Sequence, residues 1–146
     1  MRRDDLLYGE TDDACAMCGT RGQDNLTVHH IDSDPPRDEY DNMLVICYNC
    51  HMRHNQGRPP TRQEIEDRKR HLIAKTLTQY GVNALKIAAR NSFGVVAMPF
   101  LLYHLVHLDL MSQEEVQMGY GEQEDVTARF AITDSGRRFV QRWLRA

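Results

Sequence analysis

The chain has 146 residues, 41% of them hydrophobic and 27% charged, which leaves room for one domain or two small ones of ordinary soluble composition. A formal net charge of −3 excludes a protein that binds polyanions through bulk charge alone. The charged N-terminus predicts no signal peptide. The longest uncharged stretch, residues 91–108, contains Pro99, His104 and His107, a poor pattern for a membrane span.

In chain order, four cysteines come first to attention, because all of them fall in two Cys-x-x-Cys pairs, Cys15/Cys18 and Cys47/Cys50. Without a secretory signal this favours metal over disulfides, and a reducing cytoplasm is the expected location. Residues 26–31 (Leu26-Thr27-Val28-His29-His30-Ile31) read as a short strand. Residues 32–42, with Pro35 and Pro36, read as a polar loop. Residues 43–46 predict a second strand, and residues 50–55 a helical turn.

Gly57-Arg58-Pro59-Pro60 breaks the pattern. Thr61 then opens a helix, with Glu64 completing a capping box. Ile65, Leu72, Ile73, Leu77 and Tyr80 share one face of it, and Gly81 supplies a stop. Further helices are expected over residues 83–91 and 99–108. A β-hairpin is expected within 113–132, with strands near 116–120 and 126–132 around Gly121. A last helix follows Thr133, with Phe139, Val140, Trp143 and Leu144 as core. The predicted division is 1–57 and 58–146.

Two Cys-x-x-Cys pairs separated by 28 residues suit a closed tetrahedral zinc site, since each tight turn presents two sulfurs and the tetrad leaves no position open. So small a subdomain has little core, and zinc is expected to supply much of its folding energy. Between the pairs lie His29 and His30, and His51 follows the last cysteine. Neighbours on a strand point to opposite faces, so His29 and His30 have different roles.

These residues, with Asp41-Asn42-Met43-Leu44-Val45-Ile46-Cys47-Tyr48-Asn49-Cys50-His51, resemble the HNH endonuclease motif in its four-cysteine, zinc-stabilised form. The resemblance covers residues 15 to about 56. It implies an α+β fold, a small ββα-metal module followed by a mostly helical domain. It implies DNA as substrate, with 5′-phosphate and 3′-hydroxyl products. By the same resemblance His30 is the general base, His29 and His51 hold a catalytic divalent ion, and Asn42 ties the loop and orients the base. His54, one turn beyond His51, is a further candidate ligand. Arg53 and Arg58 are weaker candidates for phosphate. Many members carry Asp where this chain has His29. Imidazoles shift the metal preference toward Mn²⁺, Ni²⁺ or Zn²⁺ and away from Mg²⁺. His71, His104 and His107 read as structural or exposed.

The C-terminal residues resemble a winged-helix domain, chiefly Phe130-Ala131-Ile132-Thr133-Asp134-Ser135-Gly136-Arg137-Arg138. However, residues 99–108 carry no Arg, Lys, Asn or Gln to read base edges. Their apolar character predicts burial, self-association or docking of a protein partner. Glu122, Glu124 and Asp125 make the wing too acidic for a phosphate backbone. Residues 51–75 hold seven Arg/Lys against three acids, a stripe that can contact DNA. Two alternatives stand beside the nuclease reading: a non-catalytic zinc module that binds nucleic acid or protein, and a winged-helix regulator with a zinc-stabilised extension. A restriction or phage-defence setting suits the nuclease class.

Overall fold

The computed structural model describes residues 3–33, 36–118 and 126–144. The chain divides into two compact units, Met1–Thr76 and Leu77–Ala146. The first holds α1 (Arg3–Glu10), β1 (Leu26–His30), β2 (Met43–Cys47), α2 (Tyr48–Asn55) and the opening turns of α3 (Arg62–Arg90). The second holds the end of α3, β3 (Val95–Ala97), α4 (Pro99–His107), β4 (Met111–Met118), β5 (Val126–Ile132), α5 (Asp134–Phe139) and a π-turn, Val140–Leu144. The mixture is α+β, a ββα module plus a largely helical remainder. No helix among the described residues is long and apolar enough to cross a membrane.

In the first unit β1 and β2 form an antiparallel hairpin with His29 opposite Leu44 and His30 opposite Met43. Every residue of β2 is buried, which explains why Met43-Leu44-Val45-Ile46 reads as one apolar run without alternation. Cys47 ends the strand and caps α2, its sulfur accepting from the Cys50 amide at 3.4 Å. Gly57, at φ 75°, ends the turn after α2, its amide donating to His54 O, a left-handed position that suits glycine.

The helix α1 has no apolar periodicity that would announce it. It is anchored by Leu7, fully buried, and by Glu10. Glu10 Oε2 receives the Lys69 ammonium at 2.9 Å, and both side chains are sealed from solvent. Its other oxygen accepts from the Tyr40 hydroxyl and from Thr76 Oγ1 at 3.1 Å. Lys69 also lies over the Tyr40 ring, 3.8 Å from its centroid. The capping box at Thr61 is present: Glu64 N donates to Thr61 Oγ1 at 3.2 Å, and Thr61 N to Glu64 Oε2 at 3.3 Å.

Gly81 does not stop the α3 segment. The backbone leaves helical geometry at Thr78 (φ 61°, ψ 167°), so two helices meet there. Thr78 Oγ1 accepts from the Gly81 amide at 3.4 Å and starts the second of them. The carbonyl of Leu77 takes a 2.8 Å bond from His104 Nε2. Gly81 is small because a Cβ there would lie 2.9 Å from that His104 nitrogen. The break also resets the helical phase. Ile65, Leu72, Ile73 and Leu77 are buried, whereas Tyr80, expected on the same face, is 67% exposed.

In the second unit the sheet order is β3-β5-β4, all antiparallel. The short strand β3 has no period-2 signature of its own and forms by pairing with Phe130, Arg129 and Ala128. The expected hairpin is present with its first strand beginning earlier, at Met111. Gly121, Glu122, Glu124 and Asp125 lie outside the described residues, as does Pro35. α4 buries Leu102 and Leu105, while Phe100 and Tyr103 stay exposed. After β5, Thr133 caps α5 by accepting from the Gly136 amide at 2.9 Å. A Cβ on Gly136 would sit 2.1 Å from the Leu110 carbonyl oxygen. The Thr-x-x-Gly spacing is thus a cap followed by a close backbone approach. Phe139 and Val140 are buried, as their spacing predicts, whereas Trp143 and Leu144, expected in the core with them, are only half-buried.

Candidate metal centre and active site

The four cysteines come together from two places. Cys15 and Cys18 lie on the turn before the hairpin, held by Cys15 N→Thr20 O at 2.8 Å and Gly19 N→Cys15 O at 2.9 Å. Ala16 N→Val45 O, 3.0 Å, ties that turn to β2. Cys47 and Cys50 lie at the junction of β2 and α2. All four sulfurs fall within 4.8 Å of one another, and Cys18 and Cys47 approach to 3.6 Å. A zinc ion with Zn–S bonds of about 2.3 Å needs sulfurs roughly 3.8 Å apart, so the tetrad fits a structural zinc without rearrangement. No cysteine is in a disulfide.

Charge on the tetrad favours a dication. The Thr20 hydroxyl, then its backbone, pull the Cys18 thiol down to about 6. Burial, then the neighbouring Cys47 and Cys18, push Cys50 up to about 12. Four thiolates crowded this closely require positive charge to ionise together. Arg53 supplies part of it: its Nη2 donates to Cys50 Sγ at 3.2 Å. That bond engages Arg53 with the cysteine tetrad, a role its sequence position did not announce.

The histidines separate onto two faces of the hairpin. His29 is 6% exposed and packs against α2. Its ring lies 5.2 Å from that of His51 and 5.0 Å from that of His54, both edge-to-face. His51 and His54 are three apart on α2 and therefore share a face. His54 Nδ1 is 2.8 Å from the carbonyl of Pro60. A carbonyl only accepts, so Nδ1 carries the proton and Nε2 keeps its lone pair in the neutral ring. The break after α2 thus fixes one tautomer of His54, the usual second partner of a metal-binding imidazole. His29 is held down to about 4, first by burial and then by His54, His51 and His30. It is a neutral donor at ordinary pH. Among the described residues the cysteines form the group whose ligand atoms lie close enough together to hold a metal ion, whereas His29, His51 and His54 are neighbours by ring position, about 5 Å between centroids.

His30 occupies the opposite face, in a cavity of about 330 Å³ lined by Asp4, Val28, Asp38 and Met43. Its Nε2 lies 2.7 Å from Asp38 Oδ1. Asn42 is 1% exposed, and its amide is engaged with the loop. Oδ1 accepts from Asp32 N at 2.8 Å, and Nδ2 donates to Asp32 O at 3.0 Å and Arg37 O at 2.9 Å. Its own carbonyl accepts from Ile31 N at 2.8 Å.

The basic stripe is partly consumed within the first unit. Lys69 is buried against Glu10, Arg62 pairs with Glu66 and Asp32, and Lys75 lies 3.7 Å from Asp12. Arg58 and Arg68 are exposed. Two features of this region are not legible in the sequence: the Asp38–His30 contact and the Arg53–Cys50 bond. The i,i+3 spacing on α2 was the only available hint of the latter.

A β-hairpin closed by a helix, carrying a cysteine tetrad at one end and an imidazole cluster between strand and helix, defines a zinc-type ββα-metal module. Residues 15–57 match the family model for HNH endonuclease, with the four cysteines close together as in its zinc-binding form. No curated protein and no solved structure matches the chain.

Proposed function

We propose that the module is a metal-dependent nuclease that hydrolyses DNA phosphodiester bonds. The observation that supports it most is the gathering of the His29, His51 and His54 rings, with His30 next to His29 in sequence, within a segment matching HNH endonucleases. His29 and His51, with His54 as third donor, would hold the divalent ion. An all-imidazole donor set favours Mn²⁺, Ni²⁺ or Zn²⁺ over Mg²⁺. When bound, such an ion supplies charge stabilisation at the phosphoryl and leaving oxygens.

The protein's own groups do the rest. His30 removes a proton from water, which then attacks phosphorus as the P–O3′ bond breaks. Asn42 bonds the backbone at Asp32 and Arg37. Arg58 and Arg68, both exposed, would contact phosphate, each an ordinary salt-sensitive contact. The second unit is read as winged-helix-like, with its exposed apolar residues serving self-association or a protein partner. The test is incubation of zinc-loaded protein with plasmid and Mg²⁺, Mn²⁺ or Ni²⁺, beside His30→Ala. Cleavage by the wild type and not the variant supports the reading. No cleavage with any metal, in protein that retains zinc, favours a non-catalytic nucleic-acid-binding module.

A further inference from the structure

We infer that Asp38 is the positioning residue of the His30 imidazole, and that Asn42 acts on the base through it; the inference rests on the nuclease reading above. A carboxylate only accepts hydrogen bonds. At 2.7 Å from Asp38 Oδ1, His30 Nε2 therefore carries the proton. The neutral ring is left with its lone pair on Nδ1. A side chain on a strand edge would otherwise sample both tautomers and several ring angles. Fixing one of each is what a general base needs.

The contact is useful only if Asp38 is itself held, since its side chain is 80% exposed. The loop does this from both sides. Arg37 Nη1 donates to Glu39 Oε2 at 2.9 Å, and Nη2 lies 3.5 Å from Asp32 Oδ2. Arg62 on α3 pairs with the other oxygen of Asp32. Asn42 fastens the backbone at Asp32 and Arg37, and Asn42 N donates to Glu39 O at 2.9 Å. The residues on either side of Asp38 are thus pinned, and none of the Asn42 side-chain bonds described above reaches His30. Orientation passes from Asn42 to loop backbone, to Asp38, to His30. In the reaction the water proton moves to His30 Nδ1, the water oxygen bonds phosphorus, and the P–O3′ electron pair leaves with O3′.

The alternative role for such a carboxylate is obstruction, holding Nε2 away from water until DNA displaces it. One experiment separates the two. ¹⁵N-labelled, zinc-loaded wild type, Asp38→Ala and Asp38→Glu are examined at pH 8 by long-range ¹H–¹⁵N correlation. The His30 signals are identified by their absence in His30→Gln. In parallel, kcat and KM are measured on a DNA duplex with Mn²⁺. Positioning predicts a single Nε2-protonated tautomer in wild type and Asp38→Glu, and a mixture in Asp38→Ala. It predicts kcat for Asp38→Ala down roughly tenfold to hundredfold, within what a general base contributes, with KM within about twofold, and partial recovery in Asp38→Glu. An unchanged tautomer in Asp38→Ala, or a kcat equal to or above wild type, overturns it. If wild type cuts nothing, the nuclease reading fails, and the tautomer measurement still decides whether Asp38 positions His30.

Discussion

Replacing Lys69 by methionine is expected to destabilise the first unit by about 3–5 kcal/mol, the usual cost of stranding one partner of a buried ion pair. Lys69 and Glu10 have no solvent exposure at their side chains and meet at 2.9 Å. Burial pulls the Lys69 ammonium below its ordinary range, and Glu10 pulls the other way. Burial, then Glu10, raises Tyr40 well above its ordinary range, so its hydroxyl stays a donor. Methionine matches the volume of Lys69 but leaves Glu10 charged, with only the Tyr40 and Thr76 hydroxyls for company. Glu10→Gln added to Lys69→Met removes that charge and keeps an acceptor for both hydroxyls. The double variant should then lose only about 1–2 kcal/mol, the net worth of the missing hydrogen bonds. The second substitution rescues the first. Urea unfolding of zinc-saturated protein gives the free energies, and amide exchange of β2 localises them to the first unit. A cost below about 1 kcal/mol for Lys69→Met, or a double variant weaker than the single, would refute the argument that a desolvated charge controls the result.

Removing zinc with a strong chelator should unfold the segment around β1 and β2, since metal binding to such tetrads supplies roughly 10–16 kcal/mol; zinc analysis at one ion per chain and the loss of β2 amide protection check it. Stability in the absence of added divalent ions should fall as pH drops from about 6.5 to about 4. In that window the unfolded chain protonates His29 and the folded one, held down to about 4, does not. His29→Gln should lose this component, so the difference between the two pH profiles is the readout. Gly136→Ala should cost about 2 kcal/mol or more, because the new Cβ meets the Leu110 oxygen at 2.1 Å; thermal unfolding followed by the fluorescence of Trp143, the single tryptophan, tests it.

The sequence by itself determined those features whose physics is local. Cys-x-x-Cys turns bring paired sulfurs together wherever they occur, so the zinc tetrad could be read from spacing. Strand alternation separated His29 from His30 before any fold was known. The capping box at Thr61 follows from side chains three residues from their partners. Tertiary structure decided what depends on distant neighbours. β3 exists because β5 lies beside it. α1 is held by a buried charge on Lys69, which looks in sequence like one more member of a solvated basic stripe. The phase of α3 resets at Thr78, where the helix breaks, and Tyr80 lands outside. Asp38 meets His30 from eight residues away in sequence, beside backbone that Asn42 bonds at Asp32 and Arg37. Spacing fixes contacts within a turn of helix or along a strand, and only the closed chain fixes which buried charge, loop and strand edge meet.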